Sequence, residues 1–142
     1  MKQKDEVKAF KRELGNYRFY QRRVKDLTFM IEMCYHMLGG LHSPSLDGPP
    51  VHGPANKDAE YRLREEIERH QKNLNKAKGK IEDIEEILTD LPADIRDAVT
   101  KIYADGRTVL SVSVEMSLSN AGLVYRMNKQ IFESIRKKNS IK

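Results

Sequence analysis

The C-terminal third of the chain carries side chains suited to base edges and others suited to phosphates. Asn and Lys can hydrogen-bond to bases in the major groove, and small residues let a helix approach closely. Arg and Lys neutralise phosphates, which sets affinity without reading sequence. The candidate base-reading residues are Ser119, Asn120, Ala121, Gly122, Tyr125, Asn128 and Lys129. The candidate phosphate-binding residues are Arg107, Arg126, Arg136, Lys137 and Lys138.

Three short segments must position these side chains. Residues 92–106 predict an amphipathic helix, with Pro92 suited to its first turn and Gly106 at its end. The segment 109–118 is ambiguous, because its strict apolar and polar alternation is typical of a strand. Thr108 and Ser119 are good helix caps and the neighbouring segments are helical, which favours a helix. We therefore expect a helix here.

A last helix is predicted from Asn120 onward. Its apolar residues Leu123, Met127, Ile131 and Ile135 recur every four positions, which is the spacing of one buried helix face. Residues 92–142 therefore predict a helix-turn-helix unit with a basic tail, in which the last helix presents its first turns to DNA. A plain three-helix packing unit is the alternative.

Two long helices precede this unit. An apolar seam with alternating steps of four and three residues runs from Leu63 to Leu91, which is a heptad repeat. A second seam repeats every seven residues from Phe10 to Leu38. Both seams have equal length, so the sequence predicts an all-α fold: a long antiparallel two-helix, coiled-coil-like hairpin followed by the small helix-turn-helix unit.

The predicted organisation has four parts. Helix 1 spans 1–38 and ends at the glycine pair Gly39 and Gly40. A flexible loop spans 39–57, because four of the five prolines lie there. Helix 2 spans 58–91, and the helix-turn-helix unit spans 92–142. Whether the two seams pair within one chain or between chains is left open.

Charge separates along the chain. The net charge is +5, and residues 92–142 carry nine Lys or Arg against five Asp or Glu. A basic C-terminal third indicates an anionic partner, and the helix-turn-helix interpretation makes double-stranded DNA that partner. Because the sequence has no Gly-rich phosphate loop and no nucleophile motif, we do not expect an enzyme.

Cysteine and histidine do not form a recognisable metal motif. Cys34 is the only cysteine, and with His36, His42 and His52 it matches no standard ligand spacing. His70 sits in the heptad seam, where a lone histidine usually fixes register. We therefore expect no metal and no cofactor. No run of about 18 apolar residues exists, so we expect no membrane contact and a cytoplasmic protein.

The chain resembles a known family over most of its layout. The segments ILTDLPADIRDAVTKIYADGRT and VYRMNKQIFESIRKK are similar to the ArpU/RinA-type phage transcriptional regulators, whose C-terminal end is like the helix-turn-helix of sigma factors. Ser113 and Ser117 depart from that pattern, standing where it has Ala and Gly. The resemblance implies a phage or prophage activator of late genes that works in the host bacterial cell.

Two other functions stay open at this stage. A non-enzymatic coiled-coil interaction protein would use the hairpin and would not bind DNA. A small terminase-type packaging protein ranks lower, because such proteins resemble the reverse order of elements. The expected partners of the leading interpretation are double-stranded DNA, host RNA polymerase, and further copies of the chain that assemble through the hairpin.

Overall fold

The computed structural model describes residues 2–42 and 54–141, with side chains described for 4–41 and 57–140. Every regular element in these ranges is helical, so the predicted all-α class is confirmed. No helix among them is long and apolar enough to cross a membrane. The elements in chain order are α1 (Lys2–Gly15), α2 (Tyr17–His42), α3 (Pro54–Asp90), α4 (Ala93–Val99), a π-helical turn (Thr100–Ala104), α5 (Val109–Glu115) and α6 (Asn120–Ile141).

The ambiguous segment after Gly106 is the helix α5. Thr108 caps it, since its Oγ1 accepts a hydrogen bond from the backbone N–H of Ser111 at 3.1 Å. Val112 is 1% exposed whereas Val114 is 70% exposed, although the alternating pattern would put both on one face. Helical periodicity therefore decides the burial here, and the expectation of a helix is confirmed.

The first long segment differs from the predicted single helix 1–38. It consists of α1 and α2, which are separated by a turn at Asn16. The Asn16 N–H donates to the carbonyl of Glu13, a tightened last turn that ends α1. The predicted stop at Gly39 and Gly40 is also wrong, because α2 continues to His42. Glycine permits a helix end but does not impose one.

Both ends of the predicted flexible loop 39–57 are helical. Its first residues belong to α2, and α3 begins at Pro54. Proline is tolerated in the first turn of a helix because an N–H there would have no partner within the helix. Residues 43–53, the rest of that prediction, lie outside the described residues. The glycine in the middle of helix 2, Gly79, does not interrupt α3.

The chain divides into two compact units. The first contains Met1–Tyr20 and Lys80–Lys142, and the second contains Gln21–Gly79. The last three helices therefore do not form a unit by themselves as 92–142, because α1 completes their core. Phe10 and Leu14 are 6% and 0% exposed and belong to the same cluster as the buried face of α6.

The buried face of α6 follows the predicted spacing. Leu123, Met127 and Ile131 are fully buried, and Ile135 is 8% exposed. Burying side chains of this size contributes roughly 1.5–3 kcal/mol each relative to exposure. The apolar period of α6 thus fixes which of its faces remains available to solvent.

The corner between α3 and α4 is held by Arg96. Its guanidinium donates to the carbonyls of Leu88, Thr89 and Leu91 at 2.9, 3.1 and 3.0 Å. Leu88 and Thr89 lie in the last turn of α3 and Leu91 lies just beyond it, where the helix supplies no further amides. The Leu88 carbonyl also accepts the backbone N–H of Leu91. One charged side chain therefore closes α3 and fixes the start of α4.

In the second unit, α2 and α3 pack against each other through a small apolar cluster. Leu27 and Ile31 on α2 cluster with Leu74 on α3, and Val24 and Ile67 pack against them. The two predicted apolar seams include Val24, Ile31, Ile67 and Leu74. The seams therefore identify the faces that these helices bury in this unit.

Candidate nucleic-acid interface

A groove in the first unit lies between α1 and α6. Its volume is about 900 Å³. We call it the basic groove, because five of the side chains that line it are cationic. The lining residues are Lys4, Val7, Lys8, Lys11, Tyr125, Asn128, Lys129, Phe132, Glu133 and Arg136.

Helical spacing places three lysines on the α1 side of the groove. Lys4, Lys8 and Lys11 follow one another at steps of four and three residues, so they share a face of α1. Val7 and Phe10 between them are each 6% exposed and anchor α1 to the core. The apolar stripe of α1 therefore positions the lysine face beside α6.

The α6 side of the groove is the face next to the buried stripe. Asn128 and Lys129 follow Tyr125 by three and four residues, and Arg136 follows Lys129 by seven. These spacings keep the four residues on the same side of the helix. All four were candidate DNA-contacting residues from the sequence. The structure brings these four together with the lysines of α1.

The groove has an excess of positive charge. Glu133 is the one carboxylate among its lining residues, against five Lys and Arg side chains. Within the described residues, no Asp or Glu oxygen lies within ion-pair distance of those five cations. The ammonium of Lys11 instead lies 4.8 Å from the ring centroid of Tyr103. Cations without carboxylate partners leave a positive potential that attracts an anion.

Two uncharged side chains add hydrogen-bonding capacity. Tyr125 is 67% exposed, so its ring and hydroxyl are accessible to a partner. Oδ1 of Asn128 is buried and has no hydrogen-bond partner. A buried acceptor without a donor costs free energy, and a donor supplied by a ligand would remove that cost. A tyrosine hydroxyl beside cations can add a hydrogen bond to the phosphates that those cations contact.

The first turn of α6 is partly occupied by its own structure. Oγ of Ser119 accepts a hydrogen bond from the N–H of Gly122 at 3.0 Å, which caps the helix. A Cβ at position 122 would lie 2.9 Å from that oxygen, so glycine keeps the cap in place. Oδ1 of Asn120 accepts from the hydroxyl of Ser113. Ala121 is exposed. Of these candidates, Ser119, Asn120 and Gly122 have structural roles of their own.

The candidate phosphate-binding residues divide into two groups. Arg136 lies in the basic groove, whereas the other four each contact a carboxylate. The ion pairs are Arg107–Glu115 at 3.0 Å, Arg126–Asp94 at 3.2 Å, Lys137–Asp90 at 3.0 Å, and Lys138 with Asp83 and Glu86 at 3.4 Å each. The carboxylate beside each of these four cations offsets part of its positive potential, so they are poorer candidates than Arg136.

Sequence reasoning missed the lysines of α1. Residues 1–38 carry nine Lys or Arg against five Asp or Glu, but all the candidates predicted from the sequence lie in the C-terminal third. The spacing of Lys4, Lys8 and Lys11 marks a cationic face, but that pattern does not say which helix lies beside it. The packing of α1 on α6 supplies that information.

No family model, no curated protein and no solved structure matches the chain. The case for a function therefore depends on the residues and contacts described above.

Proposed function

We propose that the chain binds double-stranded DNA through the basic groove and the exposed face of α6, and acts as a regulator of transcription. The observation that carries this proposal is the convergence of five cations from two helices around one groove. Phosphate contacts of this kind supply most of the affinity for DNA.

The dimensions of α6 suit the major groove. It has 22 residues, which corresponds to roughly 33 Å at ~1.5 Å per residue. Ala121 and Tyr125 are exposed one turn apart near its N-terminal end. In helix-turn-helix proteins this end of the second helix contacts base edges. Base reading by these residues, with phosphate contacts from the groove lysines, is consistent with that geometry.

The resemblance to ArpU/RinA-type regulators adds a biological role. It makes activation of phage or prophage late genes, with host RNA polymerase as a further partner, the role we propose. The turn between α5 and α6 supports the likeness at one position. Ser117 has φ of 57°, in the left-handed region that favours glycine, and the resembled pattern has glycine there.

The test is binding of fluorescently labelled duplex DNA at increasing salt. The logarithm of affinity should fall linearly with the logarithm of salt concentration, by about 0.9 for each phosphate neutralised. Replacing Lys4, Lys8 and Lys11 together by Gln should weaken binding. It should also make this slope shallower, by about one for each phosphate that the variant no longer neutralises.

A matched control uses lysines outside the groove. Lys72, Lys76 and Lys78 are exposed on α3, and replacing them by Gln changes the net charge by the same amount. If both triple variants lose affinity equally, the effect reports overall charge and the groove is not the interface. If the parent chain does not bind duplex DNA, the proposed function is wrong.

A second proposed property is self-association through α2. Four large apolar side chains are exposed on one side of α2: Phe29 (62%), Met30 (44%), Met33 (39%) and Met37 (51%). Their spacings of one, three and four residues place them on the same face. Large exposed apolar patches usually mark an interface. Because all four side chains are uncharged, two copies can meet there without like-charge repulsion. Sedimentation equilibrium of the parent and of Phe29→Ser with Met33→Ser tests this, since the variant should be monomeric.

A further inference from the structure

Three side chains with metal-ligating atoms meet between α2 and α3 in the second unit. Cys34 lies on α2, and Glu66 and His70 lie on α3. One ligand atom from each residue lies within 4.8 Å of the other two. We propose that these three residues hold a divalent transition-metal ion of the zinc type.

The distances are close to those that a metal requires. Zinc bonds to sulfur, nitrogen and oxygen are about 2.0–2.3 Å long, so ligand atoms of a tetrahedral site lie roughly 3.3–3.7 Å apart. Nε2 of His70 is already 3.7 Å from Oε1 of Glu66. Side-chain rotations that move ligand atoms by about 1 Å would complete the set.

Helix geometry explains why Glu66 and His70 are paired. They are four residues apart on α3, so they occupy successive turns of one face. Pairs of ligands with this spacing on one helix are a recurrent way to bind zinc. Cys34 comes from the facing helix, so a bound ion would join α2 to α3.

Burial provides a protected site with one open side. Cys34 is 6% exposed, and the side chain of His70 is 13% exposed. The side chain of Glu66 is 43% exposed, which leaves room for water as a fourth ligand. A thiolate, an imidazole and a carboxylate together favour zinc over magnesium or calcium, which prefer oxygen ligands.

Protonation governs binding at this site. A bound ion forms a metal–sulfur bond as the S–H bond breaks, and the proton leaves to solvent. Binding should therefore strengthen as pH rises.

The sequence could not indicate this site. Cys34 is separated from Glu66 and His70 by more than thirty positions. The sequence instead grouped Cys34 with His36, His42 and His52, and gave His70 a role in fixing register. His36 is exposed on α2. The other two histidine side chains lie outside the described residues.

The experiment is a cobalt titration of the reduced, metal-free full chain. One Co²⁺ per chain should bind and give the thiolate-to-cobalt charge-transfer band and the visible bands of a tetrahedral site, and Zn²⁺ should displace it. His70→Gln and Glu66→Gln should each weaken binding at least about 10-fold. Cys34→Ser should abolish the charge-transfer band. His36→Gln is the matched control and should bind as the parent does.

A second measurement does not depend on a variant's folding. Zn²⁺ should protect the Cys34 thiol of the parent chain against alkylation and raise its unfolding temperature. Absence of both effects and of the cobalt bands would overturn the proposal. So would cobalt bands that His36→Gln removes and His70→Gln leaves intact. Neither readout involves DNA, so the outcome is independent of the proposed function.

Discussion

The hydroxyl of Ser113 donates a hydrogen bond to Oδ1 of Asn120, joining α5 to the first residue of α6. Ser113 is 1% exposed whereas Asn120 is exposed, so only the serine end of this contact is shielded from water. The bond spans the turn that sets the angle between the two helices. The resembled family pattern has Ala at position 113, where this contact would be impossible.

Ser113→Ala should reduce the free energy of unfolding by about 1 kcal/mol, because it removes the hydrogen bond that ties the turn. Chemical denaturation of parent and variant measures this. Ser140→Ala, at an exposed position of α6, should change stability by less than about 0.5 kcal/mol.

Asn120→Ala should also relax sequence choice in DNA binding if Asn120 reads a base. If Ser113→Ala relaxes sequence choice equally, Asn120 acts by positioning α6.

Ser117→Gly should stabilise the chain. Ser117 has φ of 57°, a conformation that costs a residue with a Cβ about 1–2 kcal/mol and that glycine adopts freely. We expect a gain of about 1 kcal/mol, since glycine also loses more entropy on folding. Ser111→Gly, inside α5, is the control and should destabilise. A loss of stability in Ser117→Gly would mean that the turn does not have this conformation.

Periodicity predicted the buried faces well. The four-residue steps of Leu123, Met127 and Ile131 place them on one stripe, and all three are fully buried. The caps Thr108 and Ser119 were also predicted correctly, because N-cap bonds form between neighbours in the sequence. Local interactions of this kind depend on no distant contact.

The partners of those faces could not be predicted. A seam shows which side of a helix is apolar but not what covers it, so the seam places Phe10 in the long hairpin although it lies in the core with α6. The ion pair of Lys137 with Asp90 joins residues 47 positions apart. Such contacts come from tertiary packing, which also creates the basic groove and the Cys34 cluster.

Leu14→Ala tests whether α1 belongs to the core of the first unit. Leu14 is fully buried, and removing its side chain should cost about 2–5 kcal/mol through reduced burial and a residual cavity. Leu110, which is 61% exposed, is the control, and its replacement by Ala should cost far less. Equal and small effects in both variants would show that α1 does not pack there. Thermal or chemical denaturation provides the measurement.

Tyr17 should make stability fall at alkaline pH. Burial and its hydrogen bond to Glu85 Oε1, 2.8 Å long, raise the pKa of this tyrosine above its ordinary value near 10. A raised pKa in the folded state means that the stabilisation is complete below the unfolded pKa and is lost as pH rises through the folded pKa. Tyr17→Phe should therefore lower the free energy of unfolding at neutral pH by about 1 kcal/mol. Above about pH 10, this free energy should fall less steeply in the variant than in the parent. Burial and the hydrogen bond to Glu13 also raise the pKa of Tyr20, so part of the loss of stability at high pH remains in the single variant. The variant with both tyrosines replaced by Phe should show an even smaller loss. An identical pH dependence in the parent and in Tyr17→Phe would contradict this assignment.

Arg136 and Lys137 are adjacent cations that should differ in their effect on DNA binding. Arg136 lines the basic groove, whereas the Lys137 ammonium lies 3.0 Å from a carboxylate oxygen of Asp90. Arg136→Ala should weaken binding to all duplexes alike and reduce the salt slope by about one, the effect of leaving one phosphate without its cation. Lys137→Ala removes the same charge but should change affinity less, because the adjacent Asp90 carboxylate already offsets part of its positive potential. Titrations of one specific and one random duplex over a range of salt concentrations measure both variants. Equal reductions in affinity would mean that net charge, and not the groove, governs binding; a larger reduction for Lys137→Ala would place the DNA on the side of α6 that faces Asp90.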